Sequence, residues 1–339
     1  MRRTGSDGIP MNVLISAAGR RVRLVQLFRE SLARLGLSSK VYACDSSPLS
    51  AALYAADDHF LVPPACDPQH IPFLLGVCAD RKIGLVVSVN DAELIQYAEA
   101  RERFEEQGTY IAIAHPDAVR VSRDKHKTHA WFLENDFPAP RRWCTRPAPS
   151  LADLPLPVIV KPARGSAGIG VKLVRKREEL EEVLHATEDP VIEEWQTGRE
   201  FTVNVLASRD GQLVCAVPHL RLEVRGGEVS KGRTFRHEGL EKLARRLVER
   251  LSGCRGPLNF QGFLDATGDV RLTEINARFG GGYPLAHAAG ATFTDWLLME
   301  QLGRPIPRGF AGWQSDVVMM RYDREIVGRQ VAPDRIQPL

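Results

Sequence analysis

Glu274 and Asn276 stand two residues apart in the run 271–278, which ends in Arg278 and leads into three glycines, 280–282. In a β-strand, side chains two apart share a face, so a carboxylate and an amide oxygen project together. Gln261 lies in the preceding run, 259–265. The stretch Asp265-Ala266-Thr267-Gly268-Asp269 between the runs predicts a hairpin, which puts Gln261 on the neighbouring strand. One carboxylate and two amide oxygens are hard ligands, suited to Mg²⁺ that also holds substrate phosphates. A polar hairpin face without chemistry is the alternative, but E-x-N-x-R before three glycines is more specific than that.

Lys161 closes the apolar run 158–161 and is followed by Gly165, Ser166, Gly168 and Gly170. Glycines let backbone N–H groups approach phosphate oxygens, and a lysine beside them can neutralise the same phosphates. Taken alone, the pattern also fits a flexible hairpin with a surface lysine. In a third run, 191–205, a strand ends at Glu193, Glu194, Trp195 and Gln196, turns at Gly198 and resumes at Glu200. A strand end can offer N–H and C=O groups to an adenine edge, and Glu200 could accept both ribose hydroxyls. A charged hairpin is the plain reading.

Other groups are less telling. The turn after the first strand, Ser16-Ala17-Ala18-Gly19-Arg20-Arg21, has one glycine where a dinucleotide fold wants G-x-G-x-x-G. Asp45 ends the second strand, where a ribose-binding acid would stand, yet the match to a dinucleotide site is poor. No GxxxxGK[ST] loop occurs. Arg20 and Arg21 could face a substrate carboxylate at the sheet's carboxyl edge, or open a solvated helix. The stretch 219–233 carries four basic side chains, among them Arg221 and Lys231, and two acids. Such groups could lie over an acyl phosphate or on a solvated loop. His126 and His129 share a helix face without a third metal ligand nearby and read as solvent-facing.

These groups must be positioned by two kinds of element. Apolar runs at 12–17, 40–44, 59–62, 85–89 and 110–114 alternate with helical patterns at 23–34, 71–80 and 92–107, which predicts a parallel sheet covered on both faces. Residues 118–135 read as one helix and the proline-rich 147–157 as a loop. Strands at 158–161, 171–174, 191–194, 200–207, 213–217, 258–264 and 270–276, with helices at 178–185, 238–251 and 295–302, read as α+β hairpin architecture. The expected divisions are a disordered leader over 1–10, with Met11 an alternative start, and an α/β Rossmann-like domain over 11–114. A linker helix and small subdomain over 115–190, a second subdomain over 191–310 and an extension over 311–339 follow.

Composition narrows the function. The 339 residues carry 45 Lys+Arg against 42 Asp+Glu, a net charge of +3, which argues against a nucleic-acid binder. No apolar run approaches a membrane span, and no apolar region follows the two N-terminal arginines as a signal peptide requires. Six cysteines without a CxxC pair read as reduced thiols, hence a cytoplasmic protein.

The order of motifs resembles the ATP-grasp superfamily over roughly residues 11–310. The run 193–203 is similar to the adenine hinge and ribose-binding strand of D-alanine–D-alanine ligases. Gln261 with Glu274-Ile275-Asn276-Ala277-Arg278 looks more like the large chain of carbamoyl phosphate synthetase and its small ligase relatives. The resemblance implies an α/β N-terminal Rossmann-like (pre-ATP-grasp) domain followed by a two-part α+β ATP-grasp domain. It also implies roles. Lys125 and Lys161 would meet ATP phosphates, and Gly165–Gly170, Ser166 included, would close over them. Glu193 would contact the adenine amino group, the backbone of Glu194 and Gln196, with Trp195 between them, its edge, and Glu200 the ribose. Glu274, Asn276 and Gln261 would hold magnesium. Arg278, with Asn259, would face the γ-phosphate and acyl phosphate, joined by Lys231, while Arg20, Arg21 and Arg221 would bind substrate. Where many members carry an acid, Gln261 keeps the oxygen and loses a charge.

The implied activity is ATP-dependent ligation of a carboxylate to an amine through an acyl phosphate. ATP and Mg²⁺ would be the cofactors, with Mn²⁺ as a substitute, a small carboxylate and amine the partners, and a homodimer the assembly common among relatives. Phosphorylation of carbamate or bicarbonate is a rival, opposed by the single ATP-grasp unit and the lack of a glutaminase. A non-catalytic ATP-binding module is another, opposed by the complete metal strand.

Overall fold

The computed structural model describes residues 11–143, 153–165 and 168–339. The expected leader, Ser166 and most of the proline-rich stretch lie outside the described residues. The first domain holds β1 (Asn12–Ser16), α1 (Val22–Arg34), β2 (Val41–Asp45), β3 (Asp58–Leu61), α2 (His70–Asp80), β4 (Ile83–Ser88), α3 (Leu94–Glu99), α4 (Arg101–Glu105) and β5 (Tyr110–Ile111). Its parallel strands run in the order β3-β2-β1-β4-β5. Alternation along β1 explains the two layers. Val13 and Ile15 pack with Leu24, Leu27 and Phe28 of α1, whereas Leu14 faces Leu74, Tyr97 and Phe104. The strand order reverses between β1 and β4, so their carboxyl ends open a crevice where α/β sheets bind ligands. The helix expected over 92–107 is interrupted at Ala100, because the next residue, Arg101, is buried and donates to the carbonyls of Ile111 at 3.1 Å and Ala114 at 3.0 Å.

The helix expected over 118–135 is also two, α5 (Pro116–Arg123) and α6 (Lys125–Glu134). Asp124 between them is extended, and its carboxylate accepts the backbone N–H groups of His126 at 3.0 Å and Lys127 at 3.3 Å. That cap stops one helix, starts the next and makes Lys125 its first residue.

A small antiparallel sheet follows, ordered β6-β9-β7-β8, from β6 (Arg142–Trp143), β7 (Val158–Pro162), β8 (Lys172–Val174) and β9 (Pro190–Glu194), with α7 (Arg177–Ala186) across it. Its core of Leu154, Val158, Val160, Val174, Leu180 and Ile192 is separate from the rest. Because β9 pairs with β7, this sheet continues to Glu194, past the boundary drawn at 190.

The larger sheet runs β14-β13-β10-β11-β12-β15, from β10 (Arg199–Ala207), β11 (Leu213–Arg225), β12 (Glu228–Thr234), β13 (Gly256–Leu264), β14 (Val270–Asn276) and β15 (Val318–Met320). The helix α8 (Glu238–Arg250) covers it through Leu240, Ala244 and Leu247, while α9 (Tyr283–Ala288) and α10 (Phe293–Gln301) pack toward the first domain. The stretch 219–233 is therefore strand and tight turn rather than loop. Polar residues alternate along an outer hairpin there, and Gly226 and Gly227 make the turn. The extension is structured as well. Trp313 is buried, β15 joins the sheet edge, and β16 (Gly328–Ala332) pairs with β17 (Arg335–Pro338). Among the described residues no helix is long and apolar enough to cross a membrane.

Candidate active site

The two later sheets face each other across a cleft of about 420 Å³, and the carboxyl end of β4 closes one end of it. On the small-sheet wall, Lys161 points into the cleft from β7 beside Glu193 of β9. Lys161 Nζ donates to one oxygen of Glu193 at 3.0 Å, and Arg142 of β6 donates to the other at 2.7 Å. All three are nearly fully buried. Burial alone would raise the Glu193 pKa, but Lys161 and Arg142 outweigh it and hold the carboxyl below its ordinary value. Arg142 also donates to the carbonyl of Lys125, which ties α6 to the wall. Lys125 Nζ reaches the carbonyl of Gly165 at 3.3 Å, and burial lowers its pKa. Gly165 and Gly168 line the cleft, and Gly168 and Gly170 have φ of +70° and +75°, a region costly for any side chain. Ser166 lies outside the described residues.

The opposite wall is the β13–β14 hairpin. Its register sets Gln261 against Glu274 and Asn259 against Asn276, so four polar side chains share one face. Asn276 Nδ2 donates to Glu274 Oε1 at 3.1 Å and to Asn259 Oδ1 at 3.4 Å. The donor set is one carboxylate and amide oxygens opening on a cleft with two lysines opposite. That set fits Mg²⁺ sharing its shell with phosphate oxygens. Among the described residues no group of three His, Cys, Asp or Glu forms a metal cage of its own. Arg278, just past β14, donates to Asp91 through Nε at 2.9 Å. Asp91 follows β4, so the first domain holds the arginine.

The hinge differs in detail from expectation. Glu193 accepts from a cation on each carboxylate oxygen, so its side chain anchors the cleft wall electrostatically. Glu194, Trp195 and Gln196 follow Glu193 toward solvent and do not line the cleft. Gln196 Nε2 donates to Glu194 Oε2 at 3.2 Å, and the Arg175 guanidinium sits 5.7 Å from the Trp195 ring centre. Gly198 has φ of +139°, and a Cβ there would lie 2.5 Å from the Leu264 carbonyl oxygen, so only glycine fits this turn. Glu200 lines the cleft and pairs with Arg221 at 2.9 Å. Arg221 thus lines the cleft as Glu200's partner. Burial raises the Glu200 pKa in spite of that arginine.

At the switch point Asp45 accepts the N–H of Gly19 at 2.9 Å and so shapes the β1 turn. Arg21 points into the cleft and pairs with Glu228 of β12 at 2.5 Å, and Arg20 and Arg321 reach the same carboxylate at 3.3 and 3.0 Å. Burial would raise the Glu228 pKa, but Arg21, Arg20 and Arg321 bring it down to about 2. Lys231 is not in the cleft. Ser230 and Gly232 face inward, so the strand period turns Lys231 outward, where it pairs with Glu223 at 2.6 Å. His126 lies 3.5 Å from Asp189, and His129 Nε2 bonds the Pro140 carbonyl at 2.9 Å, a half-buried tie rather than a solvent-facing side chain.

Two cleft or junction residues escaped the sequence reading, Arg142 and Arg321, and both are brought in by contacts with distant parts of the chain.

Residues 13–112 match the family model of the PylC-like N-terminal domain, and residues 122–282 that of the ATP-grasp domain. The D-alanine–D-alanine ligase of Alcanivorax borkumensis is 27% identical over 215 residues, 57% of this chain and 67% of that protein. Other ligases of that name match over 46 to 50% of their length, so the chain spans about half of several curated relatives. Among solved structures, the biotin carboxylase domain of Hydrogenobacter thermophilus 2-oxoglutarate carboxylase, in complex with MgADP and bicarbonate, has a TM-score of 0.71. It is 14% identical, with 91% of this chain and 73% of that chain covered. The L-amino acid ligase of Bacillus licheniformis has a TM-score of 0.66 at 21% identity, covering 90% of this chain and 77% of that one. At such identities the structures establish the fold. Two walls that meet over a shared cleft, with a lysine on each of two elements, thus belong to a chain that carries an ATP-grasp domain over residues 122–282, with a PylC-like N-terminal domain over residues 13–112 in front of it.

Proposed function

We propose that the protein is an ATP-dependent carboxylate–amine ligase. The observation that carries this reading is the single cleft in which Lys125 and Lys161 face Gln261, Glu274, Asn276 and Arg278. A substrate carboxylate oxygen attacks the γ-phosphorus of ATP, the bond to the β–γ bridging oxygen breaks, and ADP leaves. The amine then attacks the acyl carbon, phosphate leaves, the nitrogen loses its proton and an amide remains. Phosphoryl transfer depends on positioning and neutralised charge. Lys125 and Lys161 neutralise the phosphate chain, the glycine loop encloses it, and Glu200 takes the ribose. Arg278 leaves Asp91 to meet the transferred phosphoryl group, with Asn259 fixing the strand that carries it. Glu274, Asn276 and Gln261 would hold magnesium, or Mn²⁺ in its place, which would supply the remaining positive charge. The substrates are a small carboxylic acid and an amine. We also propose a homodimer in the cytoplasm, in keeping with the five free cysteines described.

The test is to incubate the enzyme with Mg²⁺, ATP and candidate acids, with hydroxylamine in place of the amine. A hydroxamate and stoichiometric ADP are expected. An acid that stimulates ADP release yet gives no hydroxamate would leave a kinase or ATPase as the better account. ADP release with bicarbonate alone would favour the bicarbonate-phosphorylating rival.

A further inference from the structure

A second cavity, of about 990 Å³, adjoins the cleft and is bounded by α1, α9 and the segment 318–326 of the extension. Arg21, Gly280 and Gly281 line both spaces, so the two meet there. At this junction three guanidinium groups, from Arg20, Arg21 and Arg321, converge on one carboxylate, Glu228, and leave two positive charges over. Arg21 meets Glu228 with both nitrogens of its fork, at 2.7 and 2.5 Å. Arg321 touches Glu228 through one nitrogen and gives the other to the carbonyl of Gly281. A Cβ on Gly281 would lie 2.6 Å from the Glu228 carboxylate and 2.8 Å from Arg21, so glycine keeps the junction passable. A partly buried excess of arginine calls for an anion, and a forked guanidinium fits a carboxylate.

Away from the junction Tyr54, Phe279, Tyr283 and Leu285 line the cavity, beside charged groups of which Arg23, Asp323, Arg324 and Glu325 are the chief ones. On the extension side Met320 and Tyr322 are 70% and 80% exposed, large apolar groups with little covering them. Small-molecule pockets run to roughly 1,000 Å³ at their largest, and a free small amino acid would leave this one mostly empty.

We propose that this cavity holds the body of the carboxylate substrate, an acid with an extended apolar chain or ring system, and that Arg321 binds its carboxylate together with Arg21. The inference rests on the ligase reading for its direction: the carboxylate enters the cleft at Gly280 and Gly281 and meets the γ-phosphate there. Residues 318–326 are then the specificity wall.

Calorimetric titration of the full chain with N-acetylglycine, N-hexanoylglycine and N-decanoylglycine, without nucleotide, tests it. Affinity should tighten at least tenfold from the acetyl to the decanoyl acid. Arg321→Ala should weaken N-decanoylglycine at least tenfold while a non-hydrolysable ATP analogue with Mg²⁺ binds within twofold of wild type. Tyr322→Ser, at an exposed site that folding does not depend on, should weaken the decanoyl acid at least threefold and leave the acetyl acid unchanged. A flat series, no binding by any of the acids, or indifference to both substitutions overturns the proposal. Absence of nucleotide binding alongside length-dependent acid binding would instead overturn the ligase reading and leave the cavity assignment standing.

Discussion

The two walls of the cleft handle charge in opposite ways. On the small-sheet wall, Glu193 is buried with both oxygens engaged, at 3.0 Å to Lys161 and 2.7 Å to Arg142. On the hairpin wall, Glu274 is half-exposed and meets a neutral amide at 3.1 Å. The first arrangement is finished without ligand: the carboxylate offsets the desolvation of two cations and fixes their positions before any phosphate arrives. The second is open to a cation that the chain itself does not provide. One wall is thus built for stability and preorganisation, the other for exchange, and the same residue type serves both because burial and neighbours differ.

Removing Glu193 should cost most. Glu193→Ala leaves Lys161 and Arg142 as unpaired buried charges, for which a loss of about 3–5 kcal/mol is expected, read as a lower urea midpoint. A midpoint within error of wild type would erase the contrast between the walls. The junction carboxylate Glu228 provides a pH-dependent counterpart. Its folded pKa of about 2 lies below the ordinary 4.5, so its stabilisation is present above pH 4.5 and lost as pH falls toward 2. A shift of that size corresponds to about 3 kcal/mol. Thermal melts of wild type and Glu228→Gln should differ most above pH 4.5 and converge toward pH 2. A constant difference would mean that charge pairing is not what Glu228 contributes.

Glu274→Ala should do the reverse of Glu193→Ala. Mg²⁺-dependent ATP turnover should drop on the order of 10²-fold, with the urea midpoint nearly unchanged. Near-native turnover would remove the magnesium assignment. The smallest effect belongs to Glu200→Ala, which should raise the KM for ATP about tenfold, as loss of a hydrogen-bonded charged group would, and leave the carboxylate KM alone. The opposite split would put Glu200 in the substrate pocket.

The hairpin wall was largely legible from sequence, and the small-sheet wall only in part. Gln261, Glu274 and Asn276 lie in runs where strand period and a short turn determine who shares a face. Lys161 and the glycines are likewise local. Arg142 joins Glu193 through strands separated by about fifty positions in the chain, and no spacing rule reports that pairing. The 219–233 stretch misled because its basic side chains read as groups lying over an acyl phosphate, whereas strand alternation on an outer hairpin turns Lys231 outward. Residues 311–339 carry no motif because their roles, Trp313 in the core and Arg321 at the junction, are set by what they pack against.

The bond between Asp91 and Arg278 has a consequence for building chimaeras from such proteins. Arg278, the arginine proposed to meet phosphate, is parked on an acid supplied by another domain, 187 positions away, and Arg21 reaches Glu228 across 207. The PylC-like domain is therefore not a detachable cassette. A graft that brings in a foreign first domain would need its own acid after the fourth strand and its own arginine after the first. Without them the recipient inherits a loose Arg278 and a Glu228 answered by Arg321 alone, however well the new domain folds.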